Sequence, residues 1–500
     1  MLRDISLFSK TQYDVLIVGG GINGAAIANV AAANGLKVAL LEKGDFASGT
    51  SSKSTKLIHG GIRYLERFEF DLVRESLKER YIQLKSVPYL VKPLGFIIPV
   101  YKTDRRPLWM IQLGVWLYDF LSGKYKIGSH QFLTKETVSK FVPAINTQDL
   151  IGGVTYYDVQ MDDARLCLEN VLMATRRGAH VANYVEVNGF IQEQGKVVGV
   201  RSRDILGQQT VVVRAKHVVC AGGPWTNRLL KLTDAAQPDK IRLTKGIHII
   251  YRGQTAREAL LITSQQDQRI FFIIPWMGNS LIGTTDTDYR GDPDHLEVEP
   301  QDIQYLLTQA RRVLPGMDFK ESNIITTFAG LRPLLNAPGA PSDLSRKHSI
   351  EKTPSGVWVV IGGKYTTYRK IAEDCVKRFI PVKTDDQYPL YGSGMIKEKT
   401  ADIAAQSGIA AATMEYLMNK YGTRYQDVVA LTQKNPELKK PICSCSPAIA
   451  AQIVYAVETE MAQTKEDIIE RRLGLKYLDC PTKACEKNIE KLMTLSFSNS

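Results

Sequence analysis

Asp14-Val15-Leu16-Ile17-Val18-Gly19-Gly20-Gly21-Ile22-Asn23-Gly24 runs a short apolar strand straight into glycines. Ala25 to Ala33 then reads as a helix and Asn34-Gly35 turns the chain. Lys37-Val38-Ala39-Leu40-Leu41 forms a second strand that ends in Glu42. Strand, turn, helix, strand and acid make a βαβ unit carrying Gly19-x-Gly21-x-x-Gly24. Such glycines serve a tight turn, close passage of backbone beside a pyrophosphate, and packing of helix on strand. The helix N-terminus offers N–H groups and the positive end of its dipole to phosphate. Glu42 can accept hydrogen bonds from ribose hydroxyls, and its charge repels a 2′-phosphate, which disfavours NADP. The unit reads as an adenine-dinucleotide site, against the plainer alternative of a glycine-rich βα turn without a ligand.

Length and charge set the frame around this unit. A chain of 500 residues has room for two or three domains. Its 64 basic and 52 acidic residues give a formal charge of +12. That excess fits anionic partners (phosphorylated substrates, acidic lipid, nucleic acid) or a generally basic surface. There is no low-complexity tract, internal repeat or secretory h-region, and no apolar run approaching the ~18–20 residues of a spanning helix. The cysteines are therefore expected to be reduced, in a cytoplasmic setting.

Periodicity organises the rest. A helix is expected over 68–85, with Leu72, Val73, Leu77, Ile82 and Leu84 buried, and a strand over 96–101. The very apolar stretch 107–121 follows Arg105-Arg106 and contains Trp109, Met110, Leu113, Trp116 and Phe120. It suits an interfacial helix lying on a membrane or, equally, a buried helix. Strands follow over 179–187 and through 213, then His217-Val218-Val219-Cys220-Ala221-Gly222-Gly223 ends a strand in small residues. Residues 241–290 alternate like an antiparallel sheet. Val357 to Ile361 enters Gly362-Gly363, and a helix is expected from about 367 to 379. Beyond about 381 the pattern turns helical.

Nucleotide-type turns thus recur near residues 20, 221 and 362. A site spread over so much chain suits FAD better than NAD. The expected fold is α/β: a discontinuous FAD-binding Rossmann-like domain of the amino-acid-oxidase and glutathione-reductase kind (11–95, 150–240, 325–380). An antiparallel-sheet substrate domain is inserted (96–149, 241–324), and an α-helical C-terminal domain (381–500) follows.

Four motifs resemble the FAD-dependent glycerol-3-phosphate dehydrogenase family of the aerobic, respiratory type. They are Val18 to Gly24, Gly49-Thr50-Ser51-Ser52-Lys53-Ser54-Thr55-Lys56-Leu57-Ile58-His59-Gly60-Gly61-Ile62-Arg63-Tyr64-Leu65, Ala329-Gly330-Leu331-Arg332-Pro333-Leu334, and Gly362-Gly363-Lys364-Tyr365-Thr366-Thr367-Tyr368-Arg369. The resemblance spans roughly residues 11–380. It implies oxidation of sn-glycerol 3-phosphate to dihydroxyacetone phosphate, by hydride transfer from C2 to FAD and onward passage of electrons to a membrane quinone. It also implies peripheral attachment to the cytoplasmic face of the cell membrane, no nucleic-acid partner, and a homodimer as an allowed assembly. The alternative is a related FAD oxidase or dehydrogenase of amines or of another 2-hydroxy acid.

A phosphorylated alcohol calls for forked cationic contacts and a proton acceptor. By resemblance Arg332 and Lys364 contact substrate and serve catalysis, with Arg63, Tyr64, Arg369 and His248 as further substrate contacts. For any single Arg, a structural ion pair is the competing reading. His59 either takes the hydroxyl proton or packs on and orients the flavin. His248 reads more readily as a satisfied strand histidine. Gly19, Gly21, Gly24, Glu42, Lys43, Thr50, Ser51, Ser52, Thr55, Lys56, His59, Gly60, Val185, Ala221, Gly222, Gly362, Gly363 and Thr367 are the expected cofactor contacts, Lys56 as counter-charge to the reduced ring. Nothing in the residues indicates a covalent flavin link.

Cys443-Ser444-Cys445 and Cys480-Pro481-Thr482-Lys483-Ala484-Cys485 form two close pairs. Four thiolates so spaced suit a [2Fe–2S] cluster or zinc. The spacing resembles that of the small bacterioferritin-associated-ferredoxin-like domain, although the loops are poorer in glycine than a cluster site usually is. Ordinary reduced cysteines are the competing reading, and Cys167, Cys220 and Cys375 are expected in the core.

Overall fold

A computed structural model describes residues 1, 3–234, 236–337, 347–383, 388–480 and 482–498. The helix Ile22–Ala33 is built largely of alanine and is buried along most of its length, with Asn29 as a buried polar residue bonded to Asn170 and Tyr388. Its small side chains let it pack closely against the helices Asp163–Arg176 and Tyr368–Val376.

The first sheet runs in the order His348–Lys352, Trp358–Gly362, Gln209–Cys220, Gln12–Val18, Val38–Leu41, His180–Ala182. Its central strands are parallel, and Val18 is in register with both Cys220 and Leu41. That register brings three strand ends together, so Gly19, Glu42 and Ala221 meet at the carboxyl edge, where open α/β sheets bind ligands. A meander of Val185–Glu193 and Lys196–Asp204 extends this sheet from the Gln209–Cys220 strand.

The second sheet is mostly antiparallel. Ile241–Tyr251 pairs with Ile324–Leu335 on one side and Asn279–Gly283 on the other, and Val91–Tyr101 pairs with Leu150–Met161. Leu150–Met161 and all but the first residue of Ile324–Leu335 fall within stretches assigned above to the dinucleotide domain, yet both are strands of this second sheet. The C-terminal part is helical, with Thr400–Ser407, Ala411–Tyr421, Tyr425–Lys434, Ala450–Glu458 and Lys483–Ser498.

The apolar stretch near 107 forms the helix Leu108–Ser122, and only Val115, Tyr118 and Ser122 of it are buried. Trp109 is 62% exposed and Phe120 67%, with Leu113 and Trp116 about half exposed. The helix therefore lies on the surface with an aromatic face outward. Among the described residues, no helix is long and apolar enough to cross a membrane.

Candidate active site

A cavity of about 1090 Å³ is lined from both sheets. At its dinucleotide part, Gly19 has φ +112, and a Cβ there would sit 2.5 Å from the Ala221 carbonyl oxygen. A Cβ on Gly24 would sit 1.9 Å from the Gly19 oxygen, so helix and turn touch only because both residues are glycine. The Glu42 carboxylate accepts the Gly20 N–H at 2.6 Å and the Gly44 N–H at 2.8 Å. Burial pushes its pKa up, against these two donors, and Glu42 lines the cavity. Gly21, Lys43, Val185, Ala221, Gly222, Gly362 and Gly363 share that wall. Lys43 lies 4.2 Å from the centre of the Trp225 ring and pairs with Asp294. The Val185 N–H is spent on the Glu42 carbonyl at 2.8 Å, which ties the second strand to the meander.

The hydroxyl-rich loop has a structural duty beside its place on the wall. Ser51 Oγ accepts the Ile22 N–H at 2.8 Å, so one of the helix N-terminal donors is satisfied within the chain. Thr50 Oγ1 donates to the Leu331 carbonyl at 2.6 Å, and Thr55 Oγ1 lies 3.0 Å from His248 Nε2. The cradle that a Cβ would fill, the acid at the second strand end and the three converging turns fit an adenine dinucleotide as long as FAD.

Cations and histidines line the rest of the cavity: His59, Arg63, Tyr64, His248, Arg332 and Lys364. Arg332 Nη1 is 3.1 Å from Asp286 Oδ1, and Nη2 donates to Thr284 Oγ1 at 3.0 Å. Across the strand pair, a Cβ on Gly246 would lie 2.4 Å from Arg332 Nη2, so the missing side chain makes room for the guanidinium. Lys364 donates to Ser76 Oγ and sits 4.5 Å over the Tyr64 ring. His59 is held through its backbone, by Thr366 Oγ1 at 3.2 Å. His248 is buried, stacks on Phe328 at 5.0 Å and has no hydrogen-bond partner at Nδ1. Burial, then the Arg332 and Lys56 cations, push its pKa well down, so it is a neutral imidazole.

Other expected contacts lie off the wall. Arg369 is 2% exposed and forks onto Glu79 at 2.7 and 3.0 Å, with Glu373 as a further partner. Its guanidinium is a structural ion pair, a correction to the expected substrate contact. Lys56 is equally buried, 2.5 Å from Asp163 Oδ1 and 2.7 Å from the Ser52 carbonyl, and it does not line the cavity. It anchors the loop, a correction to its expected place beside the flavin ring. Ser52, Gly60 and Thr367 are also behind the wall, and the Gly60 N–H points at Tyr118 Oη, 2.8 Å away. Three groups that the sequence reading missed hold the lining in place. They are Asp286 and Thr284 on Arg332, Ser76 on Lys364, and Asp294 between Lys43, Trp225 and Arg228. No motif marks them, since each lies far along the chain from the residue it holds.

Residues 14–366 match the family described as FAD dependent oxidoreductase, and residues 383–496 match the C-terminal domain of alpha-glycerophosphate oxidase. The fold and cavity are those of a flavoprotein oxidoreductase. A glycerol-3-phosphate dehydrogenase of Synechocystis sp. is 38% identical, the alignment covering 95% of this chain and 91% of that protein. An alpha-glycerophosphate oxidase of Streptococcus pyogenes is 32% identical over 93% of this chain and 88% of its own length. The crystal structure of the glycerol-3-phosphate dehydrogenase from Bacillus halodurans complexed with FAD superimposes with a TM-score of 0.81 at 29% identity, covering 99% of this chain and 93% of that one. The chain belongs to the FAD-dependent oxidoreductases, in the glycerol-3-phosphate dehydrogenase and glycerophosphate oxidase family.

Proposed function

We propose that this chain oxidises sn-glycerol 3-phosphate to dihydroxyacetone phosphate and passes the electrons to a membrane quinone. The observation that carries the reading is the meeting, on one cavity, of the dinucleotide turn with Arg63, Arg332, Lys364 and two histidines. Gly19, Gly21, Glu42, Ala221, Gly222, Gly362 and Gly363 would hold FAD. When bound, FAD supplies the acceptor for the C2 hydride and the relay of two electrons to the quinone.

The chain's own groups do the rest. Arg332, Lys364 and Arg63 offer forked and point-charge donors to the phosphate. Arg332 keeps its aim through Asp286 and Thr284. His59 takes the C2 hydroxyl proton as the hydride leaves. His248 stays neutral and, through Nε2 beside Thr55, positions the loop that carries His59.

The surface helix Leu108–Ser122 supports peripheral attachment at the cytoplasmic face of the cell membrane. Its outward Trp109, Leu113, Trp116 and Phe120 form an apolar face, with exposed Arg105 and Lys124 near its ends to meet anionic headgroups.

The test is an anaerobic assay on vesicles with a short-chain quinone, set beside oxygen uptake. Quinone reduced in step with dihydroxyacetone phosphate is the expected result. Peroxide formed at the same rate with no quinone reduced would assign the chain to the oxidase side of its family.

A further inference from the structure

The four C-terminal cysteines lie far in sequence from the catalytic motifs, and the reaction above makes no use of them. Two come from a tight hairpin: Pro441 bridges Ile449, the Ile442 N–H donates to the Ala448 carbonyl at 2.9 Å, and the Ala450 N–H donates to the Lys440 carbonyl at 2.9 Å. Cys443 and Cys445 project from this hairpin. Cys480 follows a short turn at Leu475–Tyr477, and Cys485 sits in the first turn of Lys483–Ser498. Asn488 Nδ2 donates to the Ile442 carbonyl at 2.9 Å and ties that helix to the hairpin.

These elements bring all four sulfurs within 4.8 Å of one another. Cys443 Sγ is 3.1 Å from Cys445 Sγ and 3.4 Å from Cys480 Sγ. Cys485 Sγ is 3.7 Å from Cys480 Sγ and 3.8 Å from Cys445 Sγ, while Cys445 and Cys480 are in direct contact. Four thiolates on one tetrahedral zinc, each about 2.3 Å from the metal, stand roughly 3.8 Å apart. A two-iron cluster divides its thiolates between two metals and needs a wider frame. A single Cys445–Cys480 disulfide would leave the convergence of Cys443 and Cys485 on the same point unexplained. Cys480 and Cys485 are buried, and Cys443 and Cys445 leave a side open through which an ion can enter. Thr482 Oγ1 accepts the Cys485 N–H at 3.3 Å and lies 3.2 Å from its sulfur, placed to donate its hydroxyl proton there.

We propose that Cys443, Cys445, Cys480 and Cys485 bind one Zn²⁺ as a structural tetrathiolate centre. With all four cysteines in the reduced form, binding displaces their thiol protons into solvent and changes no oxidation state. The centre clamps the stretch between the hairpin and the last helix. Just before Cys480, Tyr477 packs on Phe328 with ring centres 6.0 Å apart, and its carbonyl accepts Asn279 Nδ2 at 3.1 Å. Phe328 in turn stacks on His248 at the cavity. The zinc thus braces one support of the cavity wall from outside the reaction.

The test is metal analysis of the FAD-loaded full chain, grown with zinc and iron both in supply and dialysed exhaustively. One zinc per chain without acid-labile sulfide is expected, released by a mercurial as the thiols react. Cys443→Ser and Cys485→Ser should lose the zinc, keep FAD, and become easier to cut by protease within 440–485. If a variant does not fold, chelation of the unmodified protein by a strong thiol-free chelator should produce the same new cleavage. Two irons with labile sulfide, no metal with Cys445 joined to Cys480, or zinc that persists in both variants would each overturn the proposal.

Discussion

Two regions of this molecule concentrate arginine, and they use it in opposite ways. At the seam between the C-terminal helices and the dinucleotide fold, Asp45 accepts Arg471 at 2.6 Å and Arg472 at 2.6 and 2.8 Å. Beside it, Arg165 holds Glu460 at 2.8 Å and Glu169 at 2.7 Å, and Arg424 adds itself to the same two acids. Arg165 and Arg472 are wholly buried, and each cation faces carboxylates at bonding distance. On the cavity wall, Arg332 keeps a quarter of its side chain exposed, and backbone, hydroxyl and one carboxylate steer it toward open volume. A residue type alone tells nothing of function. The partners separate the two: arginines matched by carboxylates in the dry interior fix domains, and Arg332, held by Asp286 and Thr284, lines a cavity.

Breaking the seam should have the largest effect. Arg472→Ala takes two hydrogen bonds and one of two cations from the buried Asp45, leaving it Arg471 as the other, and loss of one partner from such a buried cluster costs about 3–5 kcal/mol. A large drop in Tm, with FAD released on the same transition, is expected by calorimetry. Arg332→Ala sharpens the contrast from the other side. Truncating one side of a charge-assisted contact should lower kcat/KM by about a hundredfold to a thousandfold, with Tm nearly unchanged. An unaltered kcat/KM would remove Arg332 from the substrate contacts. Charging Trp109 and Trp116 to Glu should weaken vesicle binding by about a hundredfold, from lost apolar contact, while dye-linked turnover stays intact.

Gly246→Ala acts more gently, since its Cβ would crowd the Arg332 guanidinium. Crowding of this kind costs about 1–3 kcal/mol, so roughly a tenfold rise in KM is expected from steady-state kinetics. The smallest effect is in acid. Burial pushes the Asp45 carboxyl up, but Arg472 and Arg471 outweigh it and hold the pKa down to about 2. A depressed carboxyl pKa stabilises the fold above the unfolded value of about 3.9 and loses that contribution as pH falls toward the folded one. The unfolding free energy should therefore fall between about pH 4 and pH 2, and Asp45→Asn should flatten that part of the curve.

Local signals were the legible ones. The turn at Gly19 to Gly24, the small-residue strand ends at Ala221 and Gly362, and the acid at Glu42 all act within a few residues of themselves, and they converge as expected. Arg332, Lys364, Arg63 and His59 sit among glycine-marked turns, and all four line the cavity. Arg369 and Lys56 carried the same local marks and went elsewhere. Their partners, Glu79 and Asp163, lie 290 and 107 residues away, and no spacing rule reaches that far. The sheet membership of Leu150–Met161 and Ile324–Leu335 was hidden for the same reason, because an apolar strand does not state its neighbour. The stretch at 107–121 was ambiguous because a core helix and a membrane-facing one bury the same kinds of side chain. The outward position of Trp109 and Phe120 makes it a surface helix and not a core one.

The most direct measurement is the visible spectrum of the pure protein, taken before and after sn-glycerol 3-phosphate is added without oxygen. A yellow protein whose flavin band bleaches with that substrate, and not with sarcosine or 2-hydroxyglutarate, is the predicted result. A protein that stays colourless when supplied with FAD, or whose flavin is left oxidised by glycerol 3-phosphate, would contradict the account.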